Sequence, residues 1–213
     1  MKKSNMILSG SVLIILAICL SILLIARVFL NDYLSSNGVP LGKSEKGEKI
    51  IYANGIKSLY LKGNWHTEIV RSDEEKIIVT GPKDLLEDLW VKQQNDSLEI
   101  HMVKLKNDER KLRLKMTMPI IQLLRFKGVA VASISGFNLE SLAIHSEGVT
   151  SVHGEEGSTK NLTVTGKGVS KYNFEDFPTH DAHLDFKGTV KIDLAMTGGG
   201  LTGKIEGVGA VRY

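Results

Sequence analysis

The sequence predicts an all-β protein, a β-solenoid or β-helix-like stack of ~20-residue rungs preceded by an N-terminal transmembrane helix. Three observations lead there. Glycine recurs at Gly128, Gly148, Gly168, Gly188 and Gly207, at spacings of 20, 20, 20 and 19 residues. Around those glycines apolar and polar residues alternate, the period of a strand with one buried face. Near the start, residues 6–26 form an uncharged apolar run.

That run, MILSGSVLIILAICLSILLIA, matches the roughly 20 residues a helix needs to cross a hydrocarbon core. Lys2 and Lys3 precede it, which favours a cytoplasmic N-terminus and an exported C-terminal domain, periplasmic or otherwise extracytoplasmic. A cleaved signal would have a shorter core and a small-residue cleavage site, and Ala26-Arg27-Val28 is not one. Residues 1–30 are therefore expected to be a single-pass signal anchor. Cys19, the sole cysteine, lies within the run after Ile18, so a lipid-modified cysteine is not indicated and the exported part has no disulfide. The anchor also explains the pI of 8.8. With its Lys2, Lys3 and Arg27 set aside, 24 basic side chains face 24 acidic ones. Nucleic acid is not an expected partner, because phosphate binding needs a concentrated positive face.

Residues 31–49, rich in Gly, Ser and Lys, read as a polar linker, and 50–213 as the exported domain. Strands are expected at 58–61, 66–71, 76–80, Ser97–Met102 and Leu112–Met118, with one or two helical turns at 83–90. Pro119 ends the last of these strands. In the repeats, Leu124, Ile144, Val164, Leu184 and Gly203 stand four residues before their glycines, and Ile134, Gly154, Phe174, Leu194 and Tyr213 stand six after. Even offsets point to one face, so these columns should line the interior. The odd offsets are mostly polar, as with Lys127, Glu147, Lys167, Lys187 and Glu206 just before the glycines. One rung cannot bury its apolar face alone, so neighbours must stack. The glycine suits a bend or a backbone approach too close for a Cβ.

The repeated cores SEGVTSV, GKGVSKY, FKGTVKI and IEGVGAV, with the opening IKSLYLKGNWHTEIV and the stretch IIVTGPKDLLEDLWVKQQNDSLEIHM, resemble the head GIN domain family of bacterial envelopes, whose members are described as auto-transporter adhesins. The resemblance covers residues 55–213. It implies an exported solenoid-type domain and carries over no catalytic or binding residues. Here Val129, Val149 and Val169 follow the repeat glycines where family members usually have a small residue.

Candidate chemistry is sparse. His145 and His183 fall on outward offsets two rungs apart, about 10 Å, too far to share an ion with Zn–N bonds of about 2.0–2.1 Å. His145 could meet His153 only if the rung folds back at Gly148. No metal site and no cofactor are expected. Asp185 and Asp193 flank Gly188 and could form a carboxylate pair for glycosidic chemistry, but with Asp181, Lys187 and Lys191 they are better explained as a surface charge network. Glu147 between Lys127 and Lys167 is the clearest such ladder. Gly198-Gly199-Gly200 lacks the Lys-Ser/Thr of a phosphate loop and reads as a turn. Trp90 belongs to an apolar cluster, whereas Trp65, in a Gly-Asn-Trp-His turn, suits sugar stacking or core filling equally. The expected function is a non-enzymatic, adhesin-like module held at the membrane by its N-terminal helix. Its polar face would contact a polysaccharide or an envelope protein, and homo-oligomers stay open. The alternatives are an envelope-stress signalling component, or a carbohydrate-active enzyme using Asp185 and Asp193.

Overall fold

The computed structural model describes residues 45–102 and 111–213. The expected anchor and most of the expected linker lie outside the described residues, among which no helix is long and apolar enough to cross a membrane. The described chain is all-β. Its elements are β1 Lys46–Ile51, β2 Ser58–Arg71, β3 Lys76–Pro82, α1 Lys83–Glu87, β4 Leu89–Gln94, β5 Ser97–Met102, β6 Leu112–Met118, β7 Leu123–Ser135, β8 Asn138–Glu155, β9 Ser158–Met196 and β10 Leu201–Arg212. β1 thus begins inside the stretch read as linker.

The strands form one open sheet in the order β1-β3-β6-β2-β7-β8-β9-β10, with β4 against β5 and β5 against β2. β1, β3 and β6 pair antiparallel. β4 and β5 are also antiparallel, whereas β2 pairs parallel with β5, β6 and β7. The pairing stays parallel from β7 to β10, with the repeat glycines in register: Gly128 opposite Gly148, Gly148 opposite Gly168, and Gly188 opposite Gly207. β9 runs through two successive repeats, with Gly188 lying against Gly168.

The glycines are required twice over. Their φ angles lie between +117° at Gly128 and +133° at Gly207, a region L-residues avoid. A Cβ on Gly168 would also sit 2.2 Å from the carbonyl oxygen of Gly148.

Two contacts reveal the bend that these angles produce. Ser146 pairs with Gly166 across the ladder, and straight strand from Gly166 to Tyr172 would span ~20 Å. Yet the Ser146 and Tyr172 hydroxyls are hydrogen-bonded at 2.7 Å, and the Tyr172 and Phe186 ring centroids lie 6.3 Å apart. The chain therefore bends back at Gly168, so that the inner faces of the two arms of this repeat meet. Leu124, Ile144, Val164 and Leu184 are buried there, as the column predicts. Small residues make room for rings: a Cβ on Gly166 would strike the Phe186 ring, and one on Gly154 the Phe174 ring. Interior volume is shared between neighbouring repeats, as close packing demands.

Four expectations need correction. The chain does not turn at Gly63-Asn64-Trp65-His66, because β2 is continuous and Gly63 pairs with Gly128 as a further member of the glycine column. Trp65 is consequently a core residue, its indole N–H donating to the Lys62 carbonyl at 3.0 Å. The helix stops at Glu87, because Leu89 and Trp90 pair with Met102 and His101 of β5; Trp90 stays half-buried, tilted against the His101 ring. In β10, the edge strand, Gly203 is exposed, and Tyr213, beyond the last paired residue, is 79% exposed instead of lining the interior.

Candidate binding face

The bend turns the odd positions of each repeat outward and stacks them in columns. Parallel neighbours are spaced about 4.8 Å apart, so residues 20 apart in sequence become adjacent in space. The position before the glycine carries Lys62, Lys127, Glu147, Lys167, Lys187 and Glu206. The position after it carries Asn64, Val129, Val149, Val169, Thr189 and Val208, and the valines are 42–71% exposed. β-Branched residues suit a strand on either face, which accounts for valine where smaller residues are usual.

Between the lysine column and the next outward column runs a furrow of about 600 Å3. One bank is Tyr60, Arg125, His145 and Thr165; the other is Lys127, Glu147 and Lys167, with Ser146 and Gly166 in the floor. A second furrow of about 330 Å3 shares Gly166 and continues between Asp185 and Lys187 to Lys204 and Glu206. The Arg125 guanidinium lies 5.8 Å from the centroid of the Tyr60 ring and covers it. The expected charge ladder exists in part: Lys127 reaches Glu147 at 3.0 Å, which raises the lysine pKa by hydrogen bonding and charge. Lys167 and Lys187 have no carboxylate within 4.0 Å among the described residues. Partial burial, then the nearby Arg125 charge, lowers the pKa of His145, whose Nδ1 is hydrogen-bonded to the Thr165 hydroxyl.

The remaining candidates are kept apart. His153 faces Glu155 at 3.5 Å, and His183 bridges the Thr202 hydroxyl and Asp185, each at 3.0 Å. Among the described residues no three His, Cys, Asp or Glu side chains are grouped to hold a metal ion. Asp185 also accepts the Lys204 backbone N–H at 3.0 Å. Asp193, expected to face outward, is instead buried under Arg212 at 2.6 Å and Lys191 at 3.2 Å. The Arg212 hydrogen bond foremost, helped by Lys191, holds its carboxyl down at about 2. Asp181 binds the Gly200 N–H at 2.7 Å and His180, which together lower its pKa, so the triple glycine is the turn of the last repeat.

Sequence reasoning missed the Thr202–His183–Asp185 chain. Its signal was the 19-residue step that places Thr202 opposite His183. The chain lies on an exposed surface, where water competes for each donor.

Fold and face together define an all-β repeat domain with an extended polar outer surface. The family model "Putative auto-transporter adhesin, head GIN domain" matches residues 56–213, and the chain belongs to that family. Among solved structures, one from Parabacteroides merdae described as a putative adhesin aligns at 12% identity, covering 80% of this chain and 97% of that one, with a TM-score of 0.50. A protein from Parabacteroides distasonis described as a putative lipid binding protein aligns at 13% identity over the same shares, also with a TM-score of 0.50. At such identities the likeness is one of fold. No curated protein sequence matches the chain. The family and these neighbours are named as adhesins or binding proteins, not as enzymes.

Proposed function

We propose that the chain is a binding module of the cell envelope: a β-solenoid over residues 50–213, joined by a linker at 31–49 to a transmembrane anchor at 1–30, which presents its outer face to an envelope polymer. The observation carrying this reading is the in-register stacking of the lysine column and its furrow. A repeated surface at fixed spacing suits a repeated ligand. The carboxylates that an enzyme would need are engaged elsewhere, Asp193 with Arg212 and Lys191, Asp185 with His183 and a backbone N–H. A lipid is the second ligand class to consider, on the description of the Parabacteroides distasonis neighbour and the exposed valines.

The test is retention of the full chain, held in phosphatidylcholine nanodiscs, on immobilised neutral and acidic polysaccharides and peptidoglycan. Retention on at least one polymer is expected. A folded chain that passes through every column would end the polymer reading.

A further inference from the structure

We infer that the furrow lined by Arg125, Lys127, His145, Thr165 and Lys167, continued by Lys187, binds an acidic polysaccharide lying along the direction in which the repeats stack. This rests on the polymer reading above and narrows it to one chemistry, carboxylate or sulfate groups on a sugar chain.

The first furrow carries more positive than negative charge. Basic and acidic residues of the chain beyond the anchor balance, so a polyanion would meet no long-range attraction from the net charge. On this face, however, Lys62, Lys127, Lys167 and Lys187 share one column with Glu147 and Glu206, and the facing bank carries Arg125 at one end and Asp185 beside Lys187. The acids Glu68, Glu155 and Glu175 lie on the other arm, past the glycine bend. In the first furrow Arg125, Lys127 and Lys167 stand against Glu147, and such a local excess of positive charge concentrates its counter-ion whatever the total. Lys167 and Lys187 have no carboxylate partner among the described residues, and they stand on neighbouring repeats whose strands are about 4.8 Å apart. Lys127 is held by Glu147 at 3.0 Å, and an incoming anion would compete with that exposed pair, which is weak.

The uncharged groups point to sugar. Between the charged banks the furrow offers the Thr165 hydroxyl and the His145 ring, whose pKa partial burial and then Arg125 lower, favouring the neutral form. His145 Nδ1 and the Thr165 hydroxyl are hydrogen-bonded to each other, which leaves the imidazole Nε2 and the remaining capacity of the hydroxyl to meet the hydroxyls of a sugar ring. Single-stranded nucleic acid is disfavoured for a different reason. Its binders need open aromatic faces on which bases stack, and the ring on this bank, Tyr60, is covered by Arg125.

The test uses the full chain in phosphatidylcholine nanodiscs and titrates four probes: oligogalacturonate for carboxylate, a heparin oligosaccharide for sulfate, maltohexaose as a neutral chain, and an oligodeoxynucleotide. At least one acidic sugar is expected to bind ten-fold or more tighter than maltohexaose, with affinity falling as salt rises. The combined K127A, K167A and K187A substitutions should weaken it about ten-fold or more, whereas Lys160→Ala, on a different surface and paired with Glu140, should not. Glu147→Gln should tighten it about two- to five-fold by freeing Lys127 and removing a repelling charge. Equal binding of maltohexaose, a stronger response to the oligonucleotide, or no effect of the triple substitution with the circular dichroism intact would overturn the inference while leaving a polymer-binding module. Failure of all four probes together with the polysaccharide columns would remove both.

Discussion

The repeat around Gly168 and the repeat around Gly207 have the same plan, yet they end in different environments. The first has Gly148 on one side and Gly188 on the other, and its Val164 and Tyr172 are buried. The second pairs along one edge only, and its Ile205 and Val211 stay half-buried. A pattern of alternation nominates a buried face; the neighbouring repeat creates the burial. Stability in such a stack is local, a sum of each repeat and its interfaces.

The largest expected effect separates the two glycines. Gly168→Val places a β-branched side chain at φ +122° with its Cβ 2.2 Å from the Gly148 carbonyl oxygen. With repeats on both sides it cannot move away, and we expect a loss of at least about 3 kcal/mol in chemical denaturation. Gly207→Val meets a similar clash with the Gly188 carbonyl, but β10 can peel from the edge and relieve it. The expected loss is less than half as large. Equal losses would show that the edge repeat is as firmly held as the central one.

Side-chain truncation sharpens the same contrast at smaller scale. Ile144→Ala removes fully buried methyl groups between two stacked neighbours and should cost about 2–4 kcal/mol. Val211→Ala, in the half-buried edge repeat, should cost under about 1 kcal/mol. If the two melting midpoints shift together, burial in the edge repeat has been underestimated.

How much of this was legible follows from the same locality. The glycine column and the inner residues beside it were readable because neighbours in space are 20 residues apart in sequence, so the alignment of the sequence with itself is the ladder. Gly63 broke that rule. Its partner Gly128 lies 65 residues away, with an antiparallel segment and a helix inserted between, so no period betrayed it and Trp65 was assigned to a turn. The end of α1 was hidden for a related reason: residues with helical apolar spacing, Leu89 and Trp90, are claimed by pairing to β5, which local preference cannot foresee. On the outer face, the Lys127–Glu147 contact was legible as a column. The furrow was not, because it depends on which side chains lean apart. Nor was the burial of Asp193 legible, because Arg212 stands one repeat later and must fold over it.

That last pair gives the smallest effect and the most specific one. Asp193 accepts a hydrogen bond from Arg212 of β10 at 2.6 Å, and Asp181 accepts one from Gly200, which leads into β10. Both carboxyls are held below their ordinary value, Asp193 at about 2 against 3.8. A depressed pKa contributes stability that is complete above the unfolded value and fades as pH falls through the folded one. The attachment of β10 should therefore hold from neutral pH down to about 4 and weaken between there and about 2. Amide exchange, corrected for its intrinsic pH dependence, should show β10 losing protection relative to β8 across that window. In Asp193→Asn, where no proton is left to bind at this position, β10 should be less protected at pH 7 and its decline in acid shallower. Parallel loss in β8 and β10 would mean that acid acts on the whole sheet, and the edge repeat would then have no clasp of its own.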